Sequence, residues 1–204
     1  MFASATAIDD LTTKFRTDEE TVVAYFYFDF RDIQKQNAKG MAQSLIYQIC
    51  KRKPAIPDAV FRIWDQYRHN TRAQEPGLED HLLPALKESL VGFKRIYIVL
   101  DGLDECSSEN NDLRTLLTTL NSIHQWSSPQ LHIMLTSRFI SDIYERISPL
   151  SAIESNIEIG LHRVEEVNQD IRKFVLAELS EHGTWSDAAK DTVATALIGK
   201  AEGM

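Results

Sequence analysis

The chain has 204 residues, of which 43% are hydrophobic, and it carries a formal net charge of -8 at pH 7. This size suits one domain with a substantial core, and the acidic balance without any basic block argues against nucleic acid as the main partner. No apolar run approaches the roughly 18 residues of a membrane span, and the cysteines form neither a metal-binding nor a disulfide pattern. We therefore expect an intracellular, cytoplasmic protein.

The first part of the chain contains one strand pattern among several helical ones. Residues 21–30 are rich in β-branched and aromatic side chains, which is typical of a buried strand. Apolar residues recur at helical spacing in four segments: 4–15, 41–49, 60–67 and 78–90. Because proline inside a helix removes a backbone hydrogen bond, Pro84 predicts an irregularity in the last of these helices.

Residues 95–105, with the sequence RIYIVLDGLDE, carry the strongest functional signal. The consecutive apolar residues Ile96–Leu100 stop at an acidic cluster, as in a parallel strand that is covered on both faces. Open α/β sheets bind ligands at the carboxyl ends of such strands. The segment has the form of a Walker B element, which holds the magnesium of a nucleoside triphosphate. No G-x-x-x-x-G-K-[ST] phosphate loop occurs within the 204 residues.

The rest of the chain continues the alternation of helices and strands. Helical spacing returns in three segments: 113–123, 139–147 and 167–179. Residues 131–136 predict a further buried strand, ending in Ser137-Arg138, and residues 156–161 predict another strand beside the preceding ones. Ser186 is the predicted N-cap of a last helix.

Alternating strands and helices predict an α/β fold with a mostly parallel sheet and helices on both faces. The four predicted strands lie near residues 22–29, 95–101, 131–137 and 156–161. Parallel neighbouring strands end at the same edge of a sheet, so we expect Asp101 and Arg138 to lie within about 10 Å of each other at that edge.

Several segments together resemble the NACHT-type nucleoside triphosphatases of the STAND class. The resemblance is to the nephrocystin-type N-terminal module of fungal NOD-like and ankyrin-repeat proteins. It is carried by six segments: Val22–Phe28, Leu45–Ile49, Ile98–Glu105, Ile133–Arg138, Asn168–Val175 and Gly199–Met204. The resemblance implies a three-layer P-loop NTPase-like fold. The chain departs from the family at its start, because the N-terminal strand and the phosphate loop that should end near Ser4 are missing.

The resemblance also implies a division of the chain and a set of site residues. Residues 1–163 would form a truncated nucleotide-binding core, and residues 164–204 the start of a C-terminal helical subdomain. Asp101 would hold Mg²⁺, with a turn or helix-capping aspartate as the alternative. Asp104 and Glu105 would orient or deprotonate the attacking water, Glu105 being the better candidate, or they form only a solvated acidic loop. Arg138 would sense the γ-phosphate, or pair with the 104–105 loop.

Without its phosphate loop, the chain loses most of the positive potential that binds a triphosphate, and the remaining carboxylates repel ATP. We expect a truncated or degenerate NACHT domain of a signalling, NOD-like receptor protein that neither binds nor hydrolyses nucleotide within these 204 residues. The resemblance implies Mg²⁺ with ATP or GTP as the cofactor of the ancestral site, and we expect none to be bound in this chain. The expected partner is another copy in a receptor oligomer. Two alternatives stay open: an ATP- or GTP-dependent switch whose phosphate loop lies upstream of Met1, and a protein-interaction scaffold that uses an exposed sheet edge.

Overall fold

A computed structural model describes five segments of the chain: residues 2–69, 75–126, 130–151, 165–181 and 185–201. The chain separates into two compact units, residues 1–152 and 153–204, and each is described by itself. The strand predicted at residues 156–161 lies outside the described residues, as does the boundary predicted between residues 163 and 164.

The first unit contains a sheet of three parallel strands in the order β1-β2-β3. Strand β1 spans Thr21–Tyr27, β2 spans Arg95–Asp101 and β3 spans Leu131–Leu135. These are three of the four predicted strands, and helices flank the sheet. The predicted α/β fold is therefore confirmed, and it is consistent with a P-loop-like architecture.

In the described parts of this unit, six helices accompany the sheet, near the positions that apolar spacing predicted. Their bounds are α1 Phe2–Lys14, α2 Ala38–Cys50, α3 Asp58–His69, α4 Leu83–Leu90, α5 Asp112–His124 and α6 Ser141–Ser151. Short 3₁₀ turns lie at Ile33–Lys35, Leu103–Glu105 and Glu109–Asn111. The second of these turns follows β2 directly and carries the acidic cluster.

The irregularity predicted at Pro84 is confirmed as a π-helical turn at Leu78–Leu82, immediately before α4. Pro84 has no backbone N–H, so the usual bond to the carbonyl four residues earlier cannot form. The turn uses wider bonds instead, and Leu82 N donates to Gly77 O at 3.1 Å. The single predicted helix is thereby divided into two elements.

One face of the sheet carries the main hydrophobic core. The register pairs Val22 with Ile96 and Ala24 with Ile98, so alternate residues of β1 and β2 point to the same side. Helices α2, α4 and α5 cover this face. Their fully buried side chains include Met41, Leu45, Ile49, Leu86, Leu116 and Ile123. This packing fixes the carboxyl ends of the strands, where the acidic cluster lies.

Helix α1 covers part of the opposite face, where it contacts β1 and β2. Phe15, just after the helix, stacks on Tyr97 of β2 with ring centroids 5.4 Å apart. Tyr97 in turn stacks on His132 of β3 at 5.0 Å. This row of rings holds the C-terminal end of α1 against the sheet, while its first turn reaches the carboxyl edge through Ser4.

The second unit contains two helices that pack against each other, α7 Glu165–Glu181 and α8 Asp187–Ala201. Leu179 and Ala194 are buried. The predicted N-cap is confirmed, since Ser186 Oγ accepts a hydrogen bond from Ala189 N at 3.3 Å. Across the described segments of both units, we find no helix with the length and apolar character needed to cross a membrane.

Candidate functional site

The site lies at the carboxyl edge of the sheet, where β2 ends in Asp101. Only 7% of this residue is exposed. Gly102 follows it in the left-handed region, with φ 75° and ψ 46°, a conformation that glycine adopts at no steric cost. The turn therefore requires a glycine at this position to lead the chain from β2 into the acidic 3₁₀ turn.

Two hydroxyl groups donate to the same oxygen of Asp101. Ser4 Oγ, from the first turn of α1, lies 2.6 Å from Asp101 Oδ1, and Thr136 Oγ1, just after β3, lies 2.6 Å from it. Thr136 Oγ1 also accepts a hydrogen bond from Gly102 N at 3.0 Å. The carboxylate thus joins α1, β2 and the segment after β3.

The second oxygen of Asp101, Oδ2, receives no hydrogen bond from any residue that the structure describes. No buried side-chain oxygen among these residues lacks a partner, so Oδ2 is accessible to solvent. Tyr27 is the register partner of Asp101 in β1. Burial raises the pKa of the Tyr27 phenol, and the charge of Asp101 raises it further. At neutral pH this phenol therefore stays protonated. The Asp101 carboxylate is thus surrounded by neutral hydroxyl groups and not by a second negative charge from Tyr27.

Arg138 and Asp104 form a two-point contact at the same edge. Arg138 N donates to Asp104 Oδ1 at 3.0 Å, and Arg138 Nε donates to Asp104 Oδ2 at 2.5 Å. Burial alone would raise the pKa of Asp104, but the hydrogen bonds and the charge of Arg138 outweigh it and lower that pKa. The ion pair given above as the alternative for Arg138 is therefore formed.

The guanidinium of Arg138 remains available outside this contact. The Arg138 side chain is 76% exposed, whereas the Asp104 side chain is 6% exposed. Its terminal nitrogens make no hydrogen bond within the described residues. Asp104 therefore holds the backbone N and Nε of Arg138 and leaves the terminal nitrogens of the guanidinium facing solvent.

Glu105 is held more loosely than Asp104. Its Oε2 accepts a hydrogen bond from Phe30 N at 3.4 Å, which is a long contact, and its backbone N donates to Gly102 O at 2.8 Å. The residue is partly exposed. Of the two acids in the turn, Glu105 is the one whose carboxylate forms no ion pair among the described residues.

The structure thus brings Asp101, Asp104, Glu105 and Arg138 to one edge. No cluster of three or more His, Cys, Asp or Glu side chains suited to a metal ion occurs among the described residues. Sequence reasoning missed Ser4, Thr136 and Tyr27 as neighbours of Asp101. Thr136 carried a signal, since a polar residue ended a buried strand, but Ser4 and Tyr27 did not stand out from their elements.

A second concave feature lies elsewhere on the first unit. It is an apolar groove of about 320 Å³ between α2, α3 and the π-helical turn. Its lining includes Ile46, Tyr47, Ile56, Val60, Ile63 and Leu82. It shares no residue with the carboxyl edge, and Gln43, Tyr47 and Cys50 are the polar or titratable members of an otherwise apolar lining, so the site described above remains the candidate.

The chain matches the sequence model of a known family. Residues 2–138 match the sequence model of the family described as Nephrocystin 3, N-terminal, which is more than half of the chain. The matched range contains every residue placed at the carboxyl edge, from Ser4 to Arg138. A search of curated proteins found no match.

Proposed function

Since this chain belongs to the nephrocystin 3 N-terminal family, we propose that it is the magnesium-binding and phosphate-sensing part of a NACHT-type signalling module. The observation that carries the proposal is the state of Asp101. This carboxylate ends a buried parallel strand, is nine-tenths buried, and has one oxygen held by two hydroxyl groups and the other without a hydrogen bond from the described residues. An ordinary aspartate in a surface turn is not buried in this way and does not have two hydroxyl groups donating to one of its oxygens.

The residues present fit Mg²⁺. This ion is a hard cation that keeps several waters and is commonly held by one or two carboxylates together with substrate phosphates. Asp101 would supply the carboxylate, directly or through a water. When bound, the ion would neutralise charge on a triphosphate. Within the chain, Arg138 offers donors for a phosphate oxygen and Glu105 offers an acceptor for a water proton.

These 204 residues are nevertheless poorly equipped to hold a nucleotide by themselves. In P-loop proteins the phosphates are cradled by backbone N–H groups and a lysine of the phosphate loop, and the sequence contains no such loop. Asp101, Asp104 and Glu105 add negative charge at the same edge. We propose that the chain acts in signalling through regulated contacts, with no nucleotide turnover of its own.

Titration calorimetry with Mg·ATP and with Mg·GTP tests this directly. We expect no dissociation constant tighter than about 1 mM, which corresponds to about -4 kcal/mol, and no hydrolysis above the buffer rate. Asp101→Asn, which keeps the shape of the side chain, is the matched control. Micromolar binding that disappears in this variant would contradict the proposal, because the site would then work without a phosphate loop.

A nucleotide-dependent switch is the second candidate, and one observation favours it. Ser4 in the first turn of α1 contacts Asp101, so the N-terminal end of α1 lies where phosphates bind in P-loop folds. The test is the gene sequence upstream of Met1. An in-frame G-x-x-G-x-G-K-[ST] there, with micromolar Mg·ATP binding by the longer chain that Asp101→Asn abolishes, would establish the switch. Absence of that motif would eliminate it.

A further inference from the structure

We propose that Ser4 and Thr136 are positioning residues for Asp101. Together they hold Oδ1 and leave Oδ2 as the oxygen that meets a hard divalent cation. This inference rests on the proposed function, because it concerns the same carboxylate. It adds two residues that touch neither the cation nor a phosphate and that act only through Asp101.

The geometry supports an oriented pair of donors. Both O–H···O distances are 2.6 Å, within the short range of hydrogen bonds from hydroxyl groups to carboxylates. Ser4 is fully buried. The Thr136 hydroxyl accepts from Gly102 N and donates to Asp101, so its proton has one defined direction. Neither donor can turn away without losing a bond inside the protein.

The two donors come from distant parts of the chain. Ser4 is 97 positions from Asp101 and Thr136 is 35 positions from it. A turn aspartate that only stabilises its own loop finds its partners locally, as Asp32 does with Gln34 N. Here α1 and the segment after β3 each supply a hydroxyl group to one carboxylate oxygen. Carboxylates that bind metals are likewise held by hydrogen bonds from surrounding groups.

Such positioning affects affinity through orientation. Mg²⁺ and Mn²⁺ prefer oxygen ligands, and Mg²⁺ demands near-ideal octahedral geometry. A carboxylate whose Oδ1 is already engaged presents one oxygen in a fixed direction, and the ion keeps its remaining waters. Removal of outer hydrogen-bond partners of this kind typically lowers metal affinity by about 10- to 100-fold.

The experiment uses the full chain and Mn²⁺ alone, with no nucleotide. Broadening of the backbone amide signals of Gly102 and Leu103 in ¹⁵N-resolved NMR reports Mn²⁺ at Asp101. Thr136→Val removes the hydroxyl and keeps the shape of the side chain, whereas Thr136→Ser keeps the hydroxyl. We expect Thr136→Val to raise the Mn²⁺ concentration for half-maximal broadening by about tenfold, and Thr136→Ser to respond like the wild type. Ser4→Ala should resemble Thr136→Val.

Melting curves separate this role from a structural one, since a hydroxyl that only stabilises the fold would change the melting temperature and not the Mn²⁺ response of the folded protein. Equal Mn²⁺ responses of Thr136→Val and Thr136→Ser would overturn the positioning inference alone, provided that Asp101→Asn still abolishes broadening. Broadening that is absent in the wild type, or unchanged in Asp101→Asn, would overturn the proposed magnesium site and the inference with it. The Thr136 pair decides the question even if Ser4→Ala does not fold.

Discussion

At the scale of single residues, the structure assigns different positions to the two acids of the turn after β2. Asp104 has both carboxylate oxygens engaged by Arg138, one by its backbone N and one by Nε. A carboxylate held in this way, with a lowered pKa, is a poor proton acceptor at neutral pH. Asp104 therefore suits the anchoring of Arg138, and Glu105 is left as the candidate for handling water.

The Asp104–Arg138 pair predicts a pH-dependent contribution to stability. The folded-state pKa of Asp104 is lowered from 3.8, so the pair stabilises the protein fully above that value and loses its effect as the pH falls through the folded-state pKa. Asp104→Asn should lower the melting temperature by a few degrees at about pH 7. The difference from wild type should shrink steadily below about pH 4.

Thermal melts of the two proteins across that pH range measure the difference. Asp142→Asn in α6 is a suitable control, because Asp142 has no ion pair within the described residues. The melting temperature of Asp142→Asn should differ from that of the wild type by the same amount at every pH. A gap between wild type and Asp104→Asn that stayed constant down to about pH 2 would show that the ionised pair contributes nothing.

The two cysteines offer a residue-scale prediction of a different kind. Burial, followed by the charge of Asp112, raises the pKa of Cys106 to about 12, and its thiol donates to Gln36 O at 3.0 Å. Cys50 is partly exposed. Because the thiolate is the reactive form, Cys106 should react with a thiol reagent on the order of a thousandfold more slowly than an ordinary thiol.

Mass spectrometry after brief maleimide treatment of the native protein should therefore find a single label, on Cys50. Cys50→Ser provides the control, since it should leave the native protein unlabelled. Rapid double labelling without unfolding would contradict the burial of the segment that follows the acidic turn.

At the scale of elements, local sequence patterns were sufficient for the three described strands and most helices. The apolar run predicted β2 at its observed bounds, and Pro84 predicted a break that became the π-helical turn. The predicted first strand was longer than β1, because the chain turns after Phe28, where Asp29 N donates to Lys35 O. Such loop bonds are not visible in apolar spacing.

The arrangement of Ser4, Thr136 and the segment around Arg138 near Asp101 could be predicted only in part. Parallel strands bring their carboxyl ends together, so the closeness of Asp101 to the segment around Arg138 followed from topology. The contact with Ser4 depends on how α1 lies across the sheet. That placement is set by packing, including the stack of Phe15 on Tyr97, and not by any local pattern. Residue types alone therefore indicated the acidic residues of the site, but they did not indicate which hydroxyl groups donate hydrogen bonds to Asp101.

Gln48 closes one edge of the sheet, an arrangement that sequence reasoning did not predict. From α2, its side-chain oxygen accepts from Tyr25 N at 3.0 Å and its side-chain nitrogen donates to Tyr25 O at 2.7 Å. The amide thereby replaces the next strand beside β1. Because an unpaired edge is a template for pairing with another chain, this contact protects β1 from association.

Gln48→Ala should open that edge. We expect a loss of about 1 to 2 kcal/mol in the free energy of unfolding, mainly from the two hydrogen bonds to the Tyr25 backbone, and stronger concentration-dependent association. Gln43→Ala removes an exposed glutamine from the same helix and should change neither quantity. Urea unfolding and sedimentation velocity measure the two effects, and identical behaviour of both variants would refute the protective role of Gln48.

At the scale of the whole molecule, the two compact units divide the functional features unevenly. Every residue placed at the carboxyl edge belongs to the first unit, and the family match also falls within it. The second unit contributes α7 and α8 to the described structure. A chemical test of the site therefore depends on the first unit, whereas tests of association must use the full chain.

The two edges of the sheet differ, and this difference predicts self-association. Gln48 closes β1, but no described strand pairs with the outer side of β3. Gln130 O and Thr136 N bond to β2, so the backbone groups of Leu131, Ile133 and Leu135 face outward. Where such an edge stays unpaired, it favours pairing with a second copy. We expect the full chain to associate with increasing concentration in sedimentation experiments.

A charge placed on β3 should weaken that association. His132 is exposed on β3, and His132→Lys introduces the kind of residue that blocks edge pairing in natural sheets. Gln43→Lys adds a positive charge on α2, away from the edge, and controls for a general effect of net charge. The prediction holds if His132→Lys shifts the protein toward monomer at concentrations where Gln43→Lys and the wild type associate. A wild-type protein that stays monomeric at every concentration, or equal shifts in both variants, would show that the outer edge of β3 is not the surface through which copies meet.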